Sequence, residues 1–160
     1  MVSTQNVSSS IPSRIVHCED ALEWFKNHSI FDGASIVASL PDISEFSSQD
    51  LSKWKDWFIG AAKLLMLKTP DEGVTVFYQS DITVGGQWID KAFLCLKAAE
   101  LAGRSLLWHK IACRSKPGIV APGRPAYSHI LCFGAPNGPE RPNNMPDVLP
   151  ELGEKTWERG

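Results

Sequence analysis

The chain has 160 residues, of which 43% are hydrophobic and 21% charged, which is enough to bury the core of one domain. Its formal net charge of -2 at pH 7 provides no overall basic field. This balance excludes tight non-specific binding to a phosphate backbone, so any contact with nucleic acid must be local.

The ends of the chain lack the pattern of regular structure. Residues 1–13 are rich in Ser, Thr, Asn and Gln, which predicts a disordered tail and excludes a secretory signal. Residues 135–160 contain many prolines and predict an irregular extension. The folded domain is therefore expected over residues 14–134, and no window approaches the roughly 20 apolar residues of a membrane span.

The four cysteines form no CxxC pair and have no histidine at metal-ligand spacing. Each lies in or beside an apolar run, which predicts buried thiols rather than disulfides or metal ligands. Because disulfides are rare in reducing compartments, we expect an intracellular, cytoplasmic protein without a metal site.

The first half of the chain alternates short apolar runs with helical patterns. A strand is predicted over residues 14–18 and a helix over 20–26, where apolar residues recur at helical spacing. The apolar run 34–40 is too short for a helix and stops at Pro41, which predicts a parallel strand buried on both faces. Residues 48–68 carry apolar side chains at spacings of three and four, which predicts an amphipathic helix.

The second half repeats this alternation. Residues 74–78 are β-branched and aromatic and predict a strand. Residues 88–101 carry an apolar stripe that predicts a helix, and Gly103 stands where a helix end favours glycine. The runs 105–113 and 128–133 predict two last strands, which can pair antiparallel across a loop rich in proline and glycine.

This order of elements predicts a doubly wound α/β fold with a mostly parallel sheet, because strand–helix–strand crossovers are right-handed and lay helices against the sheet. Ligands of such sheets bind beyond the carboxyl ends of the strands. The predicted strand ends carry Glu19 and Asp20, then Ser39 to Asp42, then Gln79 to Asp81, then His109 and Lys110. The sequence therefore predicts a polar crevice at one edge of the sheet.

The segment ASIVASLPD, from Ala34 to Asp42, resembles the strand and catalytic loop of amino-methyltransferases, whose loop reads Asp/Ser/Asn-Pro-Pro before an aromatic residue. Ser39 matches the polar residue and Pro41 the second proline. Leu40 replaces the first proline, and Asp42 stands where the family has the ring that stacks on an extruded base. The resemblance implies that residues 39–42 form the catalytic loop, with Ser39 and nearby carbonyls accepting hydrogen bonds from the target amine.

Three flanking blocks follow the order of the same family. RIVHCEDAL at 14–22 is similar to its strand ending in Gly-Asp-Ala-Leu, LWHK at 107–110 to its Trp-x-Lys strand, and RPAYSHILCF at 124–133 to its strand reading His-Glu-x-Ile-Leu-x-Phe. This is the order of the permuted beta class, in which the catalytic half precedes the cofactor half. The resemblance implies a partial Rossmann-like methyltransferase sheet and S-adenosylmethionine as the cofactor.

The resemblance and the strand ends together nominate the remaining site residues. Asp20 and Glu19 are the expected cofactor contacts, and DNA or RNA is the expected substrate. The expected substrate-binding residues are Gln79, Asp81, His109, Lys110, Arg124 and Tyr127.

Several of these residues also have a purely structural interpretation. Asp20 and Asp42 can cap a helix or a turn, and Ser39 can belong to an ordinary turn at a strand end. His109 and Lys110 alternate along a strand, so one faces each side, and an exposed edge accounts for both.

The Phe-x-Gly-x-Gly loop with which the beta class binds the methionine part of its cofactor does not occur in the 160 residues. We therefore expect the chain to stop before that segment and to supply the catalytic half. Two functions remain open: methyl transfer to an exocyclic amino group of a base, or a non-catalytic half-domain that binds or scaffolds. Pairing of the open sheet edge with a second copy or another chain is expected in either case. An unrelated doubly wound protein is the third alternative.

Overall fold

The computed structural model describes residues 14–30, 32–48, 50–115, 118–120, 123, 125–140 and 144–150. Within these ranges the helices are α1 (Ala21–Asn27), α2 (Leu51–Lys68) and α3 (Lys91–Ala102), with a short 3-10 helix over Ile43–Glu45. The strands are β1 (Ile36–Ala38), β2 (Thr75–Gln79), β3 (Ile82–Val84), β4 (Gln87–Ile89), β5 (Ser105–Cys113), β6 (Tyr127–Gly134) and β7 (Val148–Leu149).

Within the described residues, the main sheet has five strands in the order β1-β2-β6-β5-β7. β1 pairs parallel with β2, and β7 pairs parallel with β5. β6 runs antiparallel to both of its neighbours, β2 and β5. Four of the five strands therefore point the same way. The predicted α/β fold with a mostly parallel sheet is confirmed, as is the antiparallel pairing of the last two long strands.

The core lies between the sheet and the pair α2 and α3. The apolar stripe of α2 buries Phe58 and Met66 completely, and α3 contributes Cys95 with no exposed surface. Phe77 of β2 and Phe133 of β6 meet them from the sheet, with ring centroids 6.1 Å apart. Each such aromatic side chain contributes about 1.5–3 kcal/mol through burial.

None of the helices in the described ranges has the length and apolar composition needed to cross a membrane.

Each of the three helices begins after an aspartate that accepts hydrogen bonds from backbone N–H groups of the first turn. The carboxylates of Asp20, Asp50 and Asp90 accept from Glu23, from Ser52 and Lys53, and from Phe93, respectively. Such caps satisfy donors that have no partner within the helix. The α3 helix ends at Gly103, whose φ of 64° lies in the left-handed region that glycine tolerates.

The predictions at the first edge of the sheet are partly wrong. Residues 14–18 are described but form no strand, and Ile15 and Val16 are 78% and 71% exposed. The predicted strand 34–40 exists as the shorter β1, but it is not buried on both faces. β1 pairs on one side only within the described sheet, and Val37 is 77% exposed.

The segment before α3 also departs from the prediction. Residues 82–89 form the antiparallel hairpin β3–β4, so residues 88 and 89, with which the predicted helix begins, lie on a strand. Gly85 and Gly86 connect the two strands with φ values of 56° and 79°, which suits a turn with left-handed residues at both central positions. Trp88 consequently lies on the hairpin and is 55% exposed.

The C-terminal extension is not wholly irregular. Val148–Leu149 adds the short strand β7 beside β5, and the N–H of Ile111 donates to the carbonyl of Asp147 at 2.8 Å. This segment therefore covers the edge of the sheet opposite to β1.

Candidate functional site

A cleft of about 790 Å³ opens at the carboxyl ends of β1 and β2. Its lining comprises residues 39–45, residues 78–84, Lys91, Arg114, Gly123 and Pro125. Because β1 and β2 are parallel, the loops that follow them meet at one edge of the sheet. The structure thereby brings the predicted loop Ser39–Asp42 together with Gln79 and Asp81.

The backbone of the loop after β1 is held from two sides. The Trp54 indole of α2 donates to the carbonyl of Pro41 at 3.4 Å, and the N–H of Asp42 donates to Oε1 of Glu45 at 2.7 Å. Leu40, which replaces the family's first proline, buries its side chain in the core with 8% exposure. Ser39 stays exposed at the cleft. The loop is therefore fixed by its neighbours before any ligand arrives.

Lys91 is a buried cation that links the two loops. Its side chain is 3% exposed, and its ammonium forms an ion pair with Oδ1 of Asp42. Its backbone N–H donates to Oδ1 of Asp81 at 2.8 Å. A buried charge needs a partner of opposite sign, which Asp42 provides. The sequence interpretation missed Lys91, although its position three residues before Leu94 and four before Cys95 puts it on the inward face of α3.

Asp81 is the buried carboxylate of the cleft, with 4% exposure. Its Oδ2 accepts from Nε1 of Trp88 and from Nε2 of His129, each at 3.1 Å. Burial by itself would raise the pKa of Asp81, but the hydrogen bonds from His129, the Lys91 backbone and Trp88 lower it below the ordinary value of 3.8. Asp81 therefore presents a negative charge near neutral pH.

Two histidines extend from Asp81 toward the surface. Nδ1 of the buried His129 lies 3.0 Å from Nε2 of His109, which is exposed. The ring of Tyr127 meets His129 edge-on, with centroids 5.3 Å apart. His109 is exposed at its outer edge, but partial burial of its ring, with the nearby His129 charge, lowers the pKa of His109. Burial and the Asp81 charge raise the pKa of Tyr127. The sequence interpretation missed His129, because only the pairing of β6 with β2 and β5 brings it to Asp81.

Asp81, Asp90 and His129 each place one possible metal-ligand atom within 4.8 Å of the others. Both carboxylates also accept backbone N–H groups from the first turn of α3. The amino end of a helix carries partial positive charge, which favours anions and opposes a cation. We therefore assign this cluster to hydrogen bonding at the start of α3.

Some predicted site residues lie away from the cleft. Lys110 faces the other side of the sheet, where its ammonium donates to the carbonyls of Met145 at 3.2 Å and Pro146 at 2.9 Å. It anchors the C-terminal segment beside β5. His109 and Tyr127 are not part of the described lining of the cleft; both contact His129, which is bonded to Asp81. Arg124 lies outside the described residues.

The two expected cofactor contacts are engaged elsewhere. Asp20 caps α1, with the N–H of Glu23 at 2.9 Å, and Glu19 lies 3.2 Å from Nδ1 of His17. Both are exposed, and neither belongs to the described lining of the cleft. Their cofactor role stays a prediction.

Arg114 places a positive charge on the lining of the cleft. Its Nη1 donates to Oγ of Ser80 at 3.3 Å, and that hydroxyl lies 2.6 Å from Oγ of Ser128. A guanidinium at the rim suits a phosphate group, which binds arginine through charge-assisted hydrogen bonds.

No family model matches the chain, and no curated protein matches its sequence. Solved structures do resemble it. The candidate DNA modification methylase TTHA0409 of Thermus thermophilus shares 15% identity and a TM-score of 0.63, over 86% of this chain and 66% of that one. The same protein complexed with S-adenosyl-L-methionine gives 14% and 0.61.

The cytosine-N4-specific PvuII DNA methyltransferase shares 17% identity and a TM-score of 0.64, over 83% of this chain and 55% of that one. The present chain thus spans less than two thirds of the length of these neighbours. At such low identity the likeness establishes the fold, which is the Rossmann-like α/β fold of these methyltransferases.

Proposed function

We propose that this chain supplies the catalytic-loop half of an S-adenosylmethionine-dependent methyltransferase that methylates an exocyclic amino group of a nucleic-acid base. The observation that carries the proposal is the position of Ser39–Asp42 at the carboxyl end of β1, inside a cleft of about 790 Å³. That volume falls within the range of small-molecule sites. Solved DNA methyltransferases share the fold around it.

The residues of the cleft suit attack by a neutral amine. The hydroxyl of Ser39 and the loop carbonyls accept hydrogen bonds from the amine and so orient its lone pair. Positive charge develops on the nitrogen as the nitrogen–carbon bond forms. The ionised carboxylate of Asp81 stabilises that charge through space. Asp42, whose side chain stays 41% exposed beside Lys91, accepts the proton that the amine loses.

S-adenosylmethionine, when bound, would supply an electrophilic methyl carbon and, as leaving group, the sulfur that keeps the electron pair of the carbon–sulfur bond. The fit of the described residues to this cofactor is partial. Asp42 and Asp81 complement the positive sulfonium charge, whereas Asp20 and Glu19, the proposed contacts, lie outside the described lining.

Transfer of tritium from methyl-labelled S-adenosylmethionine to single-stranded DNA and RNA oligonucleotides tests the proposal. We expect incorporation with the natural protein and a loss of about tenfold or more with Asp81→Asn, because the variant removes a negative charge from the lining of the cleft in which the cation develops. Asp56→Asn, an exposed change on α2, is the matched control. No incorporation with any protein, or equal incorporation with Asp81→Asn, contradicts the proposal.

A non-catalytic half-domain is the second candidate. The Asp42–Lys91 ion pair favours it, since it occupies the position at which the family carries the aromatic ring that stacks on the base. Calorimetric titration with S-adenosylmethionine separates the two candidates. Heat of binding supports the transferase, and its absence supports the binding or scaffolding module.

The proposed partners follow from the same site. DNA or RNA enters as a single strand or with an extruded base, and this substrate implies a protein that works inside the cell. The free side of β1 is the proposed contact for a second copy or another chain, because an edge strand offers unpaired backbone groups. Sedimentation at rising concentration tests self-association there.

A further inference from the structure

Gln79 ends β2 with a carboxamide that is buried yet incompletely paired. The residue is 1% exposed, and its Nε2 has no hydrogen-bond partner in the described part of the chain. Burying an amide N–H without an acceptor costs stability, and native proteins keep few such groups. The neighbouring polar groups Asp81 and Lys91 are paired. Gln79 is therefore positioned to receive an acceptor from a ligand.

The position of Gln79 relative to the catalytic loop follows from the strand register. Ala38 of β1 pairs with Phe77 of β2. Two residues further along, Leu40 and Gln79 leave the parallel ladder side by side, and both line the cleft. A donor that has no partner among the described residues thus lies next to a loop whose hydroxyl and carbonyl groups are acceptors.

This juxtaposition complements a group that carries an amine beside a lone pair. We propose that Nε2 of Gln79 donates to the ring nitrogen adjacent to the exocyclic amine of adenine or cytosine, while the Ser39–Asp42 loop accepts from the amine itself. The inference rests on the proposed function and deepens it by naming the class of base. Enzymes that act on an extruded base commonly recognise it by such bonds to its Watson–Crick edge.

The same geometry discriminates against guanine. On its Watson–Crick edge, the nitrogen beside the amine carries a hydrogen, so Gln79 would meet a donor instead of an acceptor. The cation of Lys91 cannot take over this contact, because it is already paired with Asp42. A neutral amide donor also matches a neutral ring nitrogen.

Titration of the ¹⁵N-labelled protein with nucleotides tests the inference through the Gln79 side-chain amide signals. The ligands are adenosine, cytidine and guanosine monophosphates. The comparison ligands are the 1-deaza analogue of the adenosine nucleotide and the 3-deaza analogue of the cytidine nucleotide, each of which lacks only the ring nitrogen beside the exocyclic amine. Gln79→Met identifies the signals by their loss, and Gln87→Met on the exposed strand β4 is the matched control. Urea unfolding confirms that both variants fold.

We expect adenosine or cytidine monophosphate to shift the Gln79 signals and to bind about tenfold more tightly than its deaza analogue. Guanosine monophosphate should bind more weakly than either parent. Gln79→Met should abolish the tenfold preference, and Gln87→Met should retain it.

Two different outcomes overturn two different claims. If the deaza analogues bind as tightly as their parents, or Gln79→Met keeps the preference, the role of Gln79 is wrong while the proposed amine site stands. If neither parent nucleotide moves the signals of Ser39, Gln79 and Asp81, the proposed function fails and the inference fails with it.

Discussion

The two members of the Lys91–Asp42 ion pair differ in their exposure to water. Lys91 is buried with 3% of its side chain exposed, whereas its partner Asp42 keeps 41%. Water can solvate the carboxylate if the pair is broken, but it cannot reach the ammonium without rearrangement. The buried partner therefore sets the energetic cost of losing the pair.

This asymmetry predicts unequal effects of two substitutions on the free energy of unfolding. Asp42→Asn strands a buried cation and should cost about 2 kcal/mol, while Lys91→Met leaves a hydratable carboxylate and should cost under about 1 kcal/mol. The double variant should recover most of the loss of Asp42→Asn. Urea unfolding measures all three, and equal costs for the two single variants would contradict this view of the pair.

The lowered pKa of His109 predicts that the free energy of unfolding depends on pH. Burial and the nearby His129 charge lower its pKa in the folded state below 6.5. The unfolded chain therefore takes up the proton first, so the contribution of His109 is complete above pH 6.5 and is lost as the pH falls through the folded pKa. Urea unfolding at pH 7.5 and pH 5.5 should show a smaller decline for His109→Gln than for the natural protein. Equal declines in the free energy of unfolding for His109→Gln and the natural protein would contradict this prediction. His28→Gln is the control and should decline as the natural protein does.

The sequence located the cleft residues that follow strands directly. The apolar runs that predict β1 and β2 end just before Ser39–Asp42 and before Gln79 and Asp81. Chain order therefore predicts that these residues lie at one edge of the sheet. Lys91 and His129 were not predictable in this way. Lys91 faces inward from α3, which begins three residues later than predicted. The position of His129 beside Asp81 depends on the pairing of β6 with β2 and β5.

Close approach of two backbone segments fixes the spacing of β1, which the Ser39–Asp42 loop follows, and β2, which Gln79 ends. Gly73 precedes β2, and a Cβ added there would overlap the carbonyl oxygen of Ala34, just before β1. A side chain at this position would push apart the entries to the two strands whose far ends form the cleft. At Gly60, in the middle of α2, an added Cβ would meet no described atom within 4 Å apart from the adjoining backbone of its own helix.

These two glycines make a matched pair for mutagenesis. Gly73→Ala should lower the free energy of unfolding by about 2 kcal/mol, because backbone atoms cannot yield as side chains do. Gly60→Ala should raise it by roughly 0.5–1 kcal/mol, because alanine has the better helix propensity. Thermal and urea unfolding measure both, and a stable Gly73→Ala protein would contradict the tight approach of the two segments.

Element boundaries show what periodicity can and cannot specify. The helices α2 and α3 and the strands β5 and β6 follow from their patterns, because each buries one stripe or one face. Trp88 and Ile89 of β4 were assigned to the helix because they continue the apolar stripe of α3, and the hairpin β3–β4 with its Gly85-Gly86 turn was not predicted. The predicted strand at 14–18 fails for another reason: its sequence is apolar enough, but no strand in the described structure lies beside it.

In the described sheet of the molecule, β6 runs opposite to the other four strands, which all point the same way. The sheet leaves one side of β1 free and closes the other edge with β7. The cleft lies beyond β1 and β2, and thus next to the free edge. A ligand bound there, or a chain paired with β1, would therefore contact the same loop.

The identity of the methylated atom tests whether the cleft presents an exocyclic amine for methylation. Oligonucleotides treated with the protein and S-adenosylmethionine are digested to nucleosides and analysed by mass spectrometry, with the less active Asp81→Asn variant as the reference. The expected product carries the methyl group on an exocyclic nitrogen, as N6-methyladenine or N4-methylcytosine. Methyl groups found on a ring carbon, or product formed equally by Asp81→Asn, would contradict an amine held between the Ser39–Asp42 loop and the end of β2.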